Sequence, residues 1–323
     1  MPELPEVERA RRLLHSRCIN KEITWVRATD DTMVFPEKRG HSLSLMLKGR
    51  RVIDTGRRGK HSGYLMMHFG MTGDIHMSDE ADSRYRKMGV DVGGAWPPLY
   101  TKLEMEFGKE LAVAFTDPRR LSKIRIFDGN AVDSPLVKRL GFDPILDPPG
   151  FEDFKGALAK RRAAIKALLL KQEFSAGIGN WIADEVLYQS KVHPSQPACS
   201  LTDTQARMLL EQIRSVCITA VEANADSNLF PPNWLFHHRW AKGTIKPRQP
   251  KMPNGQGIEF VTVAGRTSAF VPEIQVLLET DITASDTEDD GDEDDEESYE
   301  RLQPPPSEPS KPRRKFRLGR AVE

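Results

Sequence analysis

The chain has only three cysteines, Cys18, Cys199 and Cys217, spread over 323 residues without a CxxC pair. A disulfide framework and a cysteine zinc site are therefore not expected. Long apolar runs are missing as well. No stretch has the ~20 residues that span a bilayer, and the amino terminus lacks the apolar core of a signal peptide. These absences predict a soluble protein of a reducing intracellular compartment, with no membrane partner. No carboxylate cluster stands out for a divalent metal, which weighs against a general nuclease. No RNP-like aromatic motif argues for an RNA-binding module.

Net charge is also missing, since 47 Lys and Arg balance 47 Asp and Glu. The balance is uneven along the chain. Residues 281–300 carry 12 acidic residues and no basic one, and residues 301–323 carry 7 basic against 2 acidic. That leaves 40 basic against 33 acidic residues in positions 1–280. The folded part is basic, which suits a polyanionic partner. The acidic run and the following "PPPSEPSKPRRKFRLGR" cannot bury enough apolar surface to order themselves.

At this length two domains are the natural expectation. An opening helix is followed by residues 22–127, which read mostly as strands. In "TKLEMEFGKELAVAFTD", Leu103, Met105 and Phe107 alternate with Lys102, Glu104 and Glu106, and Leu111, Val113 and Phe115 follow a Gly108-Lys109 turn: a hairpin with one buried face. "SLSLMLKGRRVIDTGRRGKHSGYLMMHFGMTG" reads similarly, so a β-sandwich or flattened barrel is expected. Residues 78–98 look like an inserted loop. "LGFDPILDPPG" marks a change to helices: Phe154, Leu158, Ile165, Leu168 and Leu169 at helical spacing, a short helix through "WIADEVLYQS", and a longer one over about 203–224 opened by a Thr202/Gln205 capping box. "IEFVTVAGRTSAFVPEIQ" predicts two strands about a Gly265-Arg266 turn. The expected class is α+β, with an N-terminal β-sandwich domain at 1–139, a linker at 140–150, a helical domain at 151–238, a hairpin finger at 239–279 and a disordered tail at 280–323.

Two readings stand for the first stretch, MPELPEVE. Pro5 in a first helical turn with Glu3 and Glu6 at the positive end of the dipole is a helix start. Alternatively, removal of Met1 leaves Pro2 with a secondary amine. An α-amino group has a pKa of about 7.7–8.0 and is partly neutral near pH 7, so it can attack an aldehyde-level carbon and form an iminium ion. Glu3 would protonate a leaving oxygen and Glu6 would orient the amine. Lys60 in "GRRGKH" is either a solvated loop lysine or a cation for a phosphate or leaving group, with Arg57 and Arg58 adding to the field. "HFGMTG" and "TDPRRL" are ordinary loops, or apolar wedges with a cation between them for the gap a flipped base leaves. "FSAGIGNWIADE" is a packing corner, or a glycine turn whose N–H groups and Asn180 hold an anion. Arg266 at the tip of the last hairpin is an inert surface residue or a basic finger. The adjacent His237 and His238 lack further ligands at metal spacing.

These six motifs, MPELPEVE, GRRGKH, HFGMTG, TDPRRL, GIGNWIADE and GRTSAF, together resemble the formamidopyrimidine-DNA glycosylases, bifunctional enzymes that excise oxidised bases, in the family's order across residues 1–275. The resemblance implies a β-sandwich behind a catalytic helix, then a helix-two-turn-helix domain with a β-hairpin finger. It implies Pro2 as the nucleophile at C1′, Glu3 as general acid and Glu6 as its support. Lys60 is implied as the catalytic lysine and Arg266 as the finger arginine of δ-elimination. Met71 and Arg119 match the residues that fill the hole left by a flipped base, and Asn180, with Arg162, Gly177 and Gly179, is assigned to the DNA backbone. No cofactor is implied. The partner is duplex DNA with oxidised or abasic sites, bound by a monomer.

The chain departs from the family's usual pattern in several places. No cysteines lie near residues 240–275, so the finger resembles the zincless relatives, plant enzymes in particular. Leu121 stands where the third wedge residue is usually Phe. Tyr100 falls where a DNA-contacting His is common. "NADSNLFPPNWLFHHRW" does not resemble the loop that caps 8-oxoguanine. Formamidopyrimidines, further-oxidised guanines and abasic sites are therefore the expected substrates ahead of 8-oxoguanine. "KPRRKFR" (311–317) resembles a nuclear localisation signal, and a free Pro2 would require any address to lie at the carboxyl end. The reading from another class is a damaged-DNA-binding protein that keeps the fold without the chemistry, against which the intact Pro2, Glu3 and Lys60 argue.

Overall fold

Helix α1 (Leu4–Cys18) starts where the two prolines and two glutamates predict it. Glu3 and Glu6 form a reciprocal capping box, with the Glu3 N–H donating to Glu6 Oε2 at 2.9 Å, and Pro5 sits in the first turn where no N–H is needed. The computed structural model describes residues 2–37, 40–58, 65–79, 96–127, 133–241 and 250–278. Lys60, most of the inserted loop and the tail lie outside the described residues.

After α1 come β1 (Trp25–Ala28), α2 (Gly40–Leu47), β2 (Leu65–His68), β3 (Asp74–Met77), β4 (Thr101–Glu106), β5 (Ala112–Thr116) and β6 (Lys123–Ile126). An antiparallel sheet runs β1-β4-β5-β3, and β2 pairs with β6 separately. The predicted hairpin is β4–β5, with Leu103 opposite Phe115 and Met105 opposite Val113. Two local expectations are corrected. Glu104 is not on a wet face: it is buried, and it accepts from Trp96 Nε1 at 2.9 Å and pairs with Arg27 at 2.7 Å. The Ser-Leu alternation at 42–47 is helical, not strand. Leu43 and Leu47 stand four apart and face the core, while Leu45 is 67% exposed, the pattern of a helix face.

The helical half holds α3 (Pro135–Lys138), α4 (Phe151–Ala159), α5 (Ile165–Leu170), α6 (Asn180–Gln189) and α7 (Asp203–Glu222). The helical spacing over 152–172 is broken at 160–164. There the backbone bonds to residues 196–199 instead, with Ile165 N donating to Gln196 O at 2.8 Å and Ala198 N to Ala163 O at 3.0 Å. The Thr202/Gln205 capping box opens α7 as predicted. Strands β7 (Glu259–Val263) and β8 (Arg266–Phe270) close the described chain. Their turn is Ala264-Gly265, both at positive φ, as a two-residue type I′ connection requires. Arg266 is thus the first residue of β8, opposite Val263, rather than a turn residue.

Helix α1 joins two apolar cores. Val7, Ala10, Leu14 and Cys18 pack with the strands and α2, whereas Leu4 packs among Ile178, Trp181 and the other helical residues. A third, smaller core of Leu235, Met252, Ile258, Ala269 and Val271 underlies the hairpin. Among the described residues no helix is long and apolar enough to cross a membrane.

Candidate active site

The amino terminus docks on the start of α6. Leu4 N donates to Gly177 O at 2.9 Å, which brings Glu3 under the turn that precedes the helix. The Glu3 carboxylate accepts from the N–H groups of Gly179, Trp181 and Ile182, each at 3.0 Å. This buried carboxylate therefore lies at the positive end of α6. The two glycines make the approach possible. Gly177 has φ +91° and lies against Leu4, and a Cβ on Gly179 would come 2.4 Å from Glu3 Cδ. The anion held by these N–H groups is the protein's own Glu3. Pro2 directly precedes it and is half-buried. Asn180 opens α6 and turns its Nδ2 to Thr267 O at 3.2 Å, joining the helix start to β8 one residue from the exposed Arg266. Its Oδ1 is buried without a hydrogen-bond partner among the described residues.

The loops carrying Met71 and Arg119 are brought together by Asp117, which the sequence reading did not single out. Its carboxylate accepts from Thr72 Oγ1 at 2.5 Å, from Arg119 N at 3.1 Å and from Ser122 N at 2.7 Å. Gly70, at φ +58°, lets the first loop press on the second, since a Cβ there would meet the Leu121 backbone at 2.6 Å. Met71 and Leu121 are half-buried, and Arg119 is exposed. The two arginines of "DPRRL" differ: Arg120 is tied to Asp31 at 2.8 and 3.0 Å, while Arg119 makes no ion pair among the described residues. Tyr100, half exposed and at φ +62°, borders this group, its carbonyl accepting from Asp117 N at 3.1 Å.

Arg57 and Arg58 do not add free charge to a phosphate site. Arg57 is buried, bonded to Asp143 through both terminal nitrogens and paired with Glu8 at 3.1 Å, and Arg58 pairs with Asp147 at 2.7 Å. Glu8 is held below the usual carboxylate range: burial raises it, but hydrogen bonds and charge from Arg11, with Arg57 and Arg12, outweigh that. Arg162 is exposed between α4 and α5. Both Asp117 and Asp143 stand in Asp-Pro dipeptides, a turn signal visible in the sequence, and both accept backbone N–H groups just downstream. Among the described residues no group of three or more His, Cys, Asp or Glu could hold a metal ion.

This arrangement is that of a glycosylase of the helix-two-turn-helix type, and comparison with known proteins defines it further. Residues 1–124 match the formamidopyrimidine-DNA glycosylase N-terminal domain, and residues 140–230 match the formamidopyrimidine-DNA glycosylase H2TH domain. The chain is 39% identical over 288 residues to the formamidopyrimidine-DNA glycosylase of Arabidopsis thaliana, covering 87% of this chain and 72% of that one. The Thermus thermophilus enzyme of the same name is 30% identical over 289 residues, covering 85% and 98%. Two crystal structures of the Lactococcus lactis enzyme, both 25% identical, share the fold. One, bound to DNA with an abasic site, has a TM-score of 0.65 over 85% of this chain and 99% of that one. The other, in complex with FAPY-dG-containing DNA, has a TM-score of 0.67 over 85% and 100%. The chain belongs to the formamidopyrimidine-DNA glycosylase family.

Proposed function

We propose that the chain is a bifunctional DNA glycosylase and abasic-site lyase that excises oxidised purines through a covalent intermediate at Pro2. The observation that supports it most is the burial of Glu3, the neighbour of Pro2, in the N-terminus of α6. The relatives' name supports the activity class, and the abasic-site and FAPY-dG complexes of the Lactococcus lactis enzyme support the substrate class.

Base extrusion comes first. It costs a few kcal/mol and least at damaged pairs, and Met71, Arg119 and Leu121 would offset it by filling the gap. The neutral amine of Pro2 then attacks C1′ and the base departs. Glu3 carries the N–H proton, released as the amine becomes tertiary, to the ring oxygen, opening the sugar to an iminium ion. The iminium acidifies the 2′ proton, and elimination releases the 3′ and then the 5′ phosphate, with Lys60 and Arg266 assigned to those phosphates. Formamidopyrimidines, further-oxidised guanines and abasic sites are the preferred substrates. The tail segment 311–317 serves as a nuclear import signal, which loss of nuclear accumulation on its deletion from a fluorescent fusion would support.

The test is borohydride trapping on a duplex with one abasic site, comparing wild type with Pro2→Gly and Glu3→Gln. A wild-type adduct mapped to Pro2 and lost in Pro2→Gly is expected. No adduct, with lesion binding intact, would make the protein a reader of damage instead. A side-by-side excision assay in which 8-oxoguanine was the fastest substrate would overturn the preference.

A further inference from the structure

Asp184, Lys166 and Arg239 form a buried ionic cluster beneath the terminal hairpin, and nothing in the chemistry above uses it. Asp184 stands one turn after Asn180 on α6, on the same face. It is 1% exposed, and Lys166 and Arg239 are 0% and 8% exposed. One carboxylate oxygen takes Lys166 Nζ; the other takes Arg239 Nε at 3.0 Å and Nη2 at 2.5 Å, and also Ala269 N at 3.2 Å. The lysine, in turn, donates to Thr267 O at 3.2 Å, the carbonyl that Asn180 Nδ2 also reaches at 3.2 Å. Burial lowers the lysine's affinity for its proton, against the pull of Asp184 and of Glu3.

The cluster ties β8 to the segment that leads into the finger. Arg239 lies just before residues 242–249, and Thr267 and Ala269 lie in β8 immediately after Arg266. Among the described residues, the apolar cluster under the hairpin holds five buried side chains, Ala269 and Val271 coming from β8 and its end. A buried ion cluster adds little net stability over apolar side chains of the same size, but a mispaired register leaves charges stranded. Its value is therefore in fixing one position. We propose that Asp184 is a positioning residue. Through Lys166, Arg239 and Ala269 it locks the register of β8 against the start of α6, and so sets where Arg266 and Asn180 together meet the DNA backbone.

This inference rests on the proposed lyase reading for one of its two readouts. Full-length wild type would be compared with Asp184→Asn, Asp184→Glu and the apolar triple variant Lys166→Met/Asp184→Leu/Arg239→Met. Single-turnover cleavage of an abasic-site duplex gives the ratio of δ- to β-elimination products. Titration of a non-cleavable abasic-site analogue gives the lesion Kd, and thermal melting gives the folded fraction. The expected result is a triple variant that melts near wild type yet loses about tenfold in the δ-to-β ratio and in lesion affinity. Asp184→Asn should show the same functional losses, partly restored in Asp184→Glu. A folded triple variant with wild-type ratio and Kd would overturn the proposal, as would losses that only track melting across the set. If the triple variant does not fold, Arg239→Gln, which keeps the Lys166–Asp184 pair, is read by the same criteria. Wild type that makes no cleavage products would sink the lyase reading alone, and the lesion Kd would still decide the role of Asp184.

Discussion

Gly179 and Glu3 occupy adjoining space with no room between them: the glycine's N–H donates to Glu3 Oε2 at 3.0 Å, and its missing Cβ would fall 2.4 Å from Glu3 Cδ. The residue cannot carry a side chain unless Glu3 moves. Gly179→Ala is therefore expected to displace the carboxylate from the α6 terminus and slow base excision by about 100-fold or more, the scale of a misplaced acid–base group. Lesion binding should change far less. Gly156, inside α4 with nothing within 4 Å of its Cβ position, is the control. Gly156→Ala should leave excision intact and raise stability by about 1 kcal/mol in thermal melts.

The fate of individual residues explains how far the sequence could be read. The start of α1, the β4–β5 hairpin and the capping box opening α7 are local, set by residues within a few positions of each other, and each was legible. The Ser-Leu run of α2 was not, because six residues of alternation satisfy period 2 while Leu43 and Leu47 also satisfy the helical spacing. The residues around Pro2 were found as motifs, but their contacts were hidden. The glycines of "GIGN" read as an anion site, and only the fold shows that the anion comes from 176 residues upstream. Asp184 is a different case. Nothing local marks it, since its partners Lys166, Arg239 and Ala269 are brought to it by tertiary folding.

Arg57 illustrates the energetic cost of such hidden partners. It is the counter-ion of Asp143, whose side chain is fully buried, and it ties that turn to Glu8 on α1. Arg57→Met would leave Asp143 without its guanidinium and should cost about 3–5 kcal/mol in urea unfolding. Arg57→Met/Asp143→Asn should recover part of that loss, because the stranded charge is removed with it. Additive losses in the double variant would refute the coupling.

Glu185 predicts a pH dependence of stability. It is wholly buried, accepts from Phe236 N at 2.8 Å and from Gln189 at 2.7 Å, and burial pushes its carboxyl up to about 7 against these bonds. An unfolded glutamate titrates near 4.3. Its folded-state value is raised, so the stabilisation is full below about 4.3 and is lost as pH rises towards about 7. Wild type should lose melting temperature across that window relative to Glu185→Gln, and the difference should level off above it. Parallel melts from pH 4.5 to 8 in which the two proteins keep a constant offset would reject the assignment.

The neighbouring Arg119 and Arg120 should separate function from stability. Arg119 is exposed without an ion pair among the described residues, whereas Arg120 holds Asp31. Burial raises the Asp31 carboxyl, but hydrogen bonds and charge from Arg120 and Lys102 bring it down to about 2. Arg119→Ala is expected to melt like wild type and to lose excision of a paired lesion by about 10- to 100-fold. It should lose much less on an abasic site, where no base has to leave the stack. Arg120→Ala should do the opposite, lowering the melting temperature with a smaller effect on excision. A depressed folded-state pKa gives stability that is present above about 4 and lost as pH falls through about 2. The melting deficit of Arg120→Ala should therefore shrink over that interval and persist at neutral pH. Equal excision losses in the two variants would mean that the loop as a whole, and not Arg119, meets the DNA.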